Sequence, residues 1–95
     1  MKIKNINGTT DNACKCGSWL KHWEKFSNQS TGFCQAEQCT RTDVVGAHVQ
    51  KGGSSSDQKW YIYPLCKEHN QYKDELEVSD TYKLVSANVN ETCGQ

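Results

Sequence analysis

Two short-range pairs of soft ligands, far apart in the chain, constrain this sequence most: Cys34-x4-Cys39 and Cys66-x2-His69. A structural zinc site wants four thiolate or imidazole ligands in a tetrahedron, and two local pairs closing on one ion supply it with little loss of chain freedom. Cys34 and Cys39 flank Gln35-Ala36-Glu37-Gln38, a loop short enough to fold back and offer both sulfurs to one ion. Cys66 and His69 suit the first turn of a helix, where residues three apart share a side. The positive end of such a helix also favours thiolate over thiol.

A second pressure points the same way. Leu, Ile, Val and Phe number fifteen in ninety-five residues, few for a core of this length. A domain this small and polar needs a staple, and six cysteines with three histidines are its source. The first eight residues, Met-Lys-Ile-Lys-Asn-Ile-Asn-Gly, hold no apolar run of signal-peptide kind, and no stretch approaches a membrane span. A cytoplasmic chain keeps its thiols reduced, so metal is the expected staple rather than disulfides. Ninety-five residues lead us to expect a single zinc-binding domain over 1–95.

Acidic and basic side chains balance, eleven of each. Total charge therefore gives no support to non-specific nucleic-acid binding. Lys21, Lys25, Arg41, Lys51 and Lys59 leave room for a local basic patch. The expected partner is a protein or a nucleic acid, with no membrane, and the chain is expected to be a monomer.

Along the chain, residues 1–12 read as an extended or loose polar lead-in. Ser18 is a plausible helix N-cap, and Trp19, Leu20, Trp23 and Phe26 fall on one helical face, predicting an amphipathic helix from 18 to 27. Residues 44–49 predict a short strand and 52–57 a flexible loop. Trp60-Tyr61-Ile62-Tyr63 predicts a strand ending at Pro64. A helix is predicted from Leu65 or Cys66 to about Leu76, and a last strand within 82–89. The expected class is α+β.

The cysteines Cys14, Cys16 and Cys93 fall outside the main set. With His22 they form a candidate second metal site. Alternatively, Cys14 or Cys16 bridges to Cys93, replaces a ligand of the first site, or serves thiol chemistry. For His22 the competing reading is a half-buried helix residue beside Trp19 and Phe26.

Two cysteines, then Gly46-Ala47-His48-Val49, then Ile62-Tyr63-Pro64-Leu65-Cys66-Lys67-Glu68-His69-Asn70, resemble the ββα-metal core of HNH endonucleases, a treble-clef fold. The similarity covers roughly residues 33–75. It implies a zinc-stabilised treble clef, with the helix at 18–27 and the last strand as additions. It also implies His48 as the general base activating water, Asn70 as the second catalytic position, and His69 as the last zinc ligand. A Mg²⁺-class ion near His48 and Asn70 would then serve a nuclease. The chain departs from the family pattern where Ala47 replaces the acidic residue before the histidine and Tyr61 stands at the place of the middle Asn. Asp57 is a candidate substitute for the missing polar group. The string from Cys14-Lys15-Cys16-Gly17-Ser18-Trp19-Leu20 onward also resembles a group of small bacterial zinc-finger-type proteins. An intact ligand set beside a depleted catalytic set leads us to expect a non-catalytic zinc module, with the HNH-type nuclease as the alternative.

Overall fold

In the computed structural model, which describes residues 1–6, 18–53 and 59–87, an antiparallel sheet carries one helix. The elements are β1 (Lys2–Asn5), α1 (Trp19–Ser27), β2 (Val44–Lys51), β3 (Tyr61–Cys66), a 3-10 turn (His69–Gln71), β4 (Leu76–Glu77) and β5 (Val85–Ser86). The strand order is β4-β1-β2-β3-β5. The class is α+β.

Strand register sorts the side chains onto two faces, because cross-strand partners point the same way and neighbours alternate. Val45 pairs with Leu65, Ala47 with Tyr63, and Val49 with both Tyr61 and Asn5. Ala47, Val49, Tyr63 and Leu65, with Ile3, Leu76 and Val78, belong to the larger buried cluster, which also takes in Cys34, Ala36 and Cys66 and has Tyr61 packed against it. On the opposite face, Gly46 pairs with Pro64 and His48 with Ile62. There α1 lies down, packing Trp23 against Ile62 and Val85.

The helix forms where its sequence says. The Ser18 hydroxyl accepts from the Lys21 N–H at 3.1 Å, and Asn28, in the left-handed region at φ 57°, closes the other end by donating its N–H to the Glu24 carbonyl. Trp23 is fully buried, with its indole N–H on the Lys83 carbonyl at 2.7 Å. The helix start sits directly on Gly46. A Cβ there would lie 2.4 Å from the Trp19 carbonyl carbon and 2.5 Å from the Leu20 nitrogen. The bare glycine is what lets helix backbone touch strand backbone.

Several expectations change. The lead-in is in part a strand: Lys2-Ile3-Lys4-Asn5 alternates exposed and buried, and β1 sits between β2 and β4. The strand expected to stop at Pro64 runs on to Cys66. The Pro64 carbonyl accepts from the Gln35 N–H, pointing away from β2. The nitrogen of a strand residue points the same way as its carbonyl, so the missing N–H removes no β2–β3 hydrogen bond. The helix predicted from Leu65 or Cys66 to Leu76 shrinks to the 3-10 turn, and Tyr72 is already extended at φ −69°, ψ 135°. Between Cys66 and Leu76 the side chains are polar apart from Tyr72, which is itself exposed, so a longer helix would have had little to bury. The chain instead delivers Leu76 opposite Ile3 and Val78 opposite Ala36. The last strand is reduced to Val85–Ser86, and 88–89 lie outside the described residues.

Gly46→Ala is expected to destabilise the fold by about 3 kcal/mol or more, because rigid backbone rather than a mobile side chain would have to yield. Urea unfolding followed by tryptophan fluorescence checks this, and a loss under about 1 kcal/mol would show that α1 is free to lift off the sheet.

Candidate metal centre

The loop from Cys34 to Cys39 is shaped by its own backbone. Cys39 donates its N–H to the Ala36 carbonyl at 3.1 Å, and Gln38 takes the left-handed conformation at φ 64°, turning the second sulfur back toward the first. The loop is held from outside as well. Cys34 bonds to the Arg41 carbonyl, Gln35 to Pro64, Glu37 to Glu77, and Ser79 back to Gln35. Arg41 also makes a two-pronged contact with Asp43 at 3.0 and 2.9 Å and reaches Glu68 at 3.1 Å. That contact holds the Asp43 carboxyl low, at about 2. The exposed ion pairs add little stability, but they bridge the loop to the segment between Cys66 and His69.

Four ligand atoms from Cys34, Cys39, Cys66 and His69 lie within 4.8 Å of one another, an arrangement that can hold a metal ion. Nδ1 of His69 is the ring nitrogen turned inward, 3.2 Å from the Cys66 sulfur and 3.5 Å from the Cys34 sulfur. Cys34 and Cys66 are 1% and 0% exposed, Cys39 and His69 partly buried. Without a cation, burial pushes the Cys34 thiol up to about 12, against the opposing pull of the Cys66 and Ala36 backbone N–H groups. A bound cation reverses that balance, since a coordinating thiol is deprotonated outright. The His69 N–H approaches the Cys66 sulfur at 3.4 Å.

The turn carrying His69 is anchored by Asn5, a residue the sequence reading passed over. Its side-chain N–H₂ donates to the carbonyls of His69 at 2.7 Å and Tyr72 at 3.0 Å. Asn5 is 8% exposed, and its Oδ1 has no partner among the described residues. The signal for it was the Lys2-Ile3-Lys4 alternation, which, continued at the strand period of two, places position 5 on the same inward face as Ile3.

The remaining candidates lie elsewhere. His48 is 7% exposed on the α1 face, its ring edge-on to Trp19 at 4.5 Å, and its Nε2 has no hydrogen-bond partner among the described residues. Burial, and then the neighbouring His22, lower its pKa. Asn70 rides in the turn that Asn5 pins to the opposite face, so His48 and Asn70 are not brought together. His22 is fully buried in α1, set against Trp19 at 4.9 Å and Phe26 at 5.1 Å, with Nε2 donating to the Ser86 carbonyl at 2.8 Å. Cys14, Cys16, Cys93 and Asp57 lie outside the described residues. No helix among the described residues is long and apolar enough to cross a membrane. Comparison with protein-family models, with curated proteins and with solved structures finds no match.

Two outcomes are expected here. Asn5→Ala leaves the His69 and Tyr72 carbonyls without their buried donor and costs about 1–3 kcal/mol in chemical unfolding. His48 is neutral in the fold and takes a proton more readily when unfolded. Its contribution is therefore present above its ordinary pKa of 6.5 and is lost as pH falls below it. Stability measured from pH 7 to 5 should fall less steeply in His48→Gln, the difference being a fraction of the ~1.4 kcal/mol per pH unit that one proton can supply. Parallel curves would show that His48 does not titrate differently on folding.

Proposed function

We propose that this chain is a structural-zinc module, without catalytic activity, that presents a surface to a protein or nucleic-acid partner. The observation that carries the zinc reading is the convergence of three sulfurs and one imidazole nitrogen within 4.8 Å. Zinc–sulfur bonds of about 2.3 Å and zinc–nitrogen bonds of about 2.0–2.1 Å, opened to a tetrahedral angle, separate sulfur from nitrogen by roughly 3.6 Å. The sulfur–Nδ1 separations of 3.2 and 3.5 Å stand close to that geometry. Three cysteines and one histidine form a closed ligand set that leaves no position open for substrate, which suits a structural ion. Such a set needs reduced thiols, which supports a cytoplasmic setting.

The burial of His48 against Trp19, on the face away from Asn70, supports a non-catalytic reading over an HNH-type nuclease. A general base must reach the water it activates, and a Mg²⁺-class ion needs oxygen ligands beside it. The exposed rings of Phe26, Phe33, Trp60 and Tyr72 support a contact role.

Native mass spectrometry of the reduced chain is expected to show zinc held by the site, lost in Cys66→Ser and retained in His48→Ala. Removing zinc with a chelator should unfold the chain, since structural zinc supplies about 10–16 kcal/mol of apparent folding free energy in small domains. A folded chain without zinc would overturn the reading. Nicking of plasmid with Mg²⁺, Mn²⁺ or Ni²⁺ that His48→Ala abolishes would establish the nuclease instead.

A further inference from the structure

The four ligands differ in their access to solvent. An open cleft of about 720 Å³ lies between the Cys34–Cys39 loop and residues 77–82, and both Cys34 and Cys39 line it. Cys66 and His69 do not. Cys66 ends β3, paired opposite Val44, and is wholly buried. Cys39 is partly exposed, the only one of the three sulfur ligands that is not buried. The cleft also carries the carboxylates of Glu37, Glu77 and Asp80, of which the last two hold the Met1 amine. A small neutral molecule can enter such a cleft, whereas an anion meets a surplus of negative charge.

Resting on the structural-zinc reading, we propose that Cys39 is a modification site: a metal-bound thiolate that a neutral hydroperoxide oxidises, forming a Cys34–Cys39 disulfide and releasing the zinc. The Cys39 thiolate attacks one peroxide oxygen and the O–O bond breaks. Hydroxide leaves from hydrogen peroxide, or alkoxide from an organic hydroperoxide, and is protonated to water or alcohol, and Cys39 becomes a sulfenic acid. The Cys34 thiolate, its sulfur within 4.8 Å, then attacks the Cys39 sulfur and expels hydroxide, which is protonated to water. Two sulfurs lose two electrons in total, and the peroxide gains them. Cys34 rather than Cys66 is the resolving thiol, because it shares the loop and the cleft with Cys39 while Cys66 is fixed in the sheet. Only Cys66 and His69 then remain on the ion, too few to keep it in a tetrahedral site.

The test uses the full chain loaded with zinc, its metal content measured first. Hydrogen peroxide is added, free zinc is followed with a chromogenic indicator, and disulfides are mapped by alkylation and peptide mass spectrometry. The expected result is loss of the ion held by this site in step with a Cys34–Cys39 bridge, Cys66 remaining alkylatable. Oxidised glutathione, an anionic disulfide, should release zinc about tenfold more slowly at equal concentration. Cys39→Asp keeps a ligand atom but removes the nucleophile, so a zinc-loaded variant should lose metal about tenfold more slowly to peroxide. Should that variant fail to fold, the disulfide map of the unaltered chain decides alone. Zinc retained under peroxide, or a first bridge through Cys66 or confined to Cys14, Cys16 and Cys93, would overturn the proposal and leave the zinc reading standing. A chain that takes up no zinc before oxidation would overturn both.

Discussion

The meeting of the Cys34–Cys39 loop with the end of β3 is the contact on which the rest of the structure depends. Two buried thiols, a half-buried thiol and an imidazole stand together at a place where an ordinary domain of this size would put aliphatic side chains. Cys34 and Cys66 are counted among the larger core cluster, next to Leu65 and Tyr63. As neutral thiols they pack as small apolar groups; as thiolates they need a cation, and burial alone drives Cys34 toward the neutral form. The site and the hydrophobic core are thus one object, and the chemical state of the first governs the second.

The sheet is built around that object. Its outer strand β4 pairs with β1 and accepts the Glu37 N–H at Glu77, and just beyond β4 Val78 pairs with Ala36 and Ser79 bonds to Gln35. From β1, Asn5 reaches across the face to the carbonyls of the turn that carries His69. The two ligand pairs are therefore held by segments that contribute no ligand. This is how a chain with few aliphatic residues fixes ligand positions: backbone hydrogen bonds and one buried amide do what bulk packing does in larger domains.

The opposite face has a different chemistry. Rings run in sequence from His48 through Trp19 and His22 to Phe26, with centroids 4.5, 4.9 and 5.1 Å apart. Such edge-on and tilted contacts are the favourable arrangement for aromatic pairs, so the two histidines serve here as aromatic packing. A sheet separates this layer from the turn bearing Asn70. Whatever contacts the protein makes, the histidine in the Gly-Ala-His-Val motif belongs to the helix–sheet interface.

How much of this was legible from residues alone follows their range of action. The helix at 18–27 was readable because its N-cap and aromatic spacing act within one or two turns. The group Cys34, Cys39, Cys66 and His69 was readable as a candidate because two such pairs together suit one ion, and the structure brings the four within 4.8 Å of one another. The strand at residues 2–5 and the role of Asn5 were not, since a polar lead-in becomes a strand only when β2 and β4 lie on either side of it. The shortened helix after Cys66 was decided the same way: local spacing allowed a helix, but Leu76 and Val78 bury more by pairing with Ile3 and Ala36. The sequence by itself determined which atoms can hold an ion and which residues start a helix, because capping and ligand chemistry are local. Only the tertiary structure decided the face on which His48 lies and which thiol meets solvent, because strand register and the path of the chain over the sheet set both.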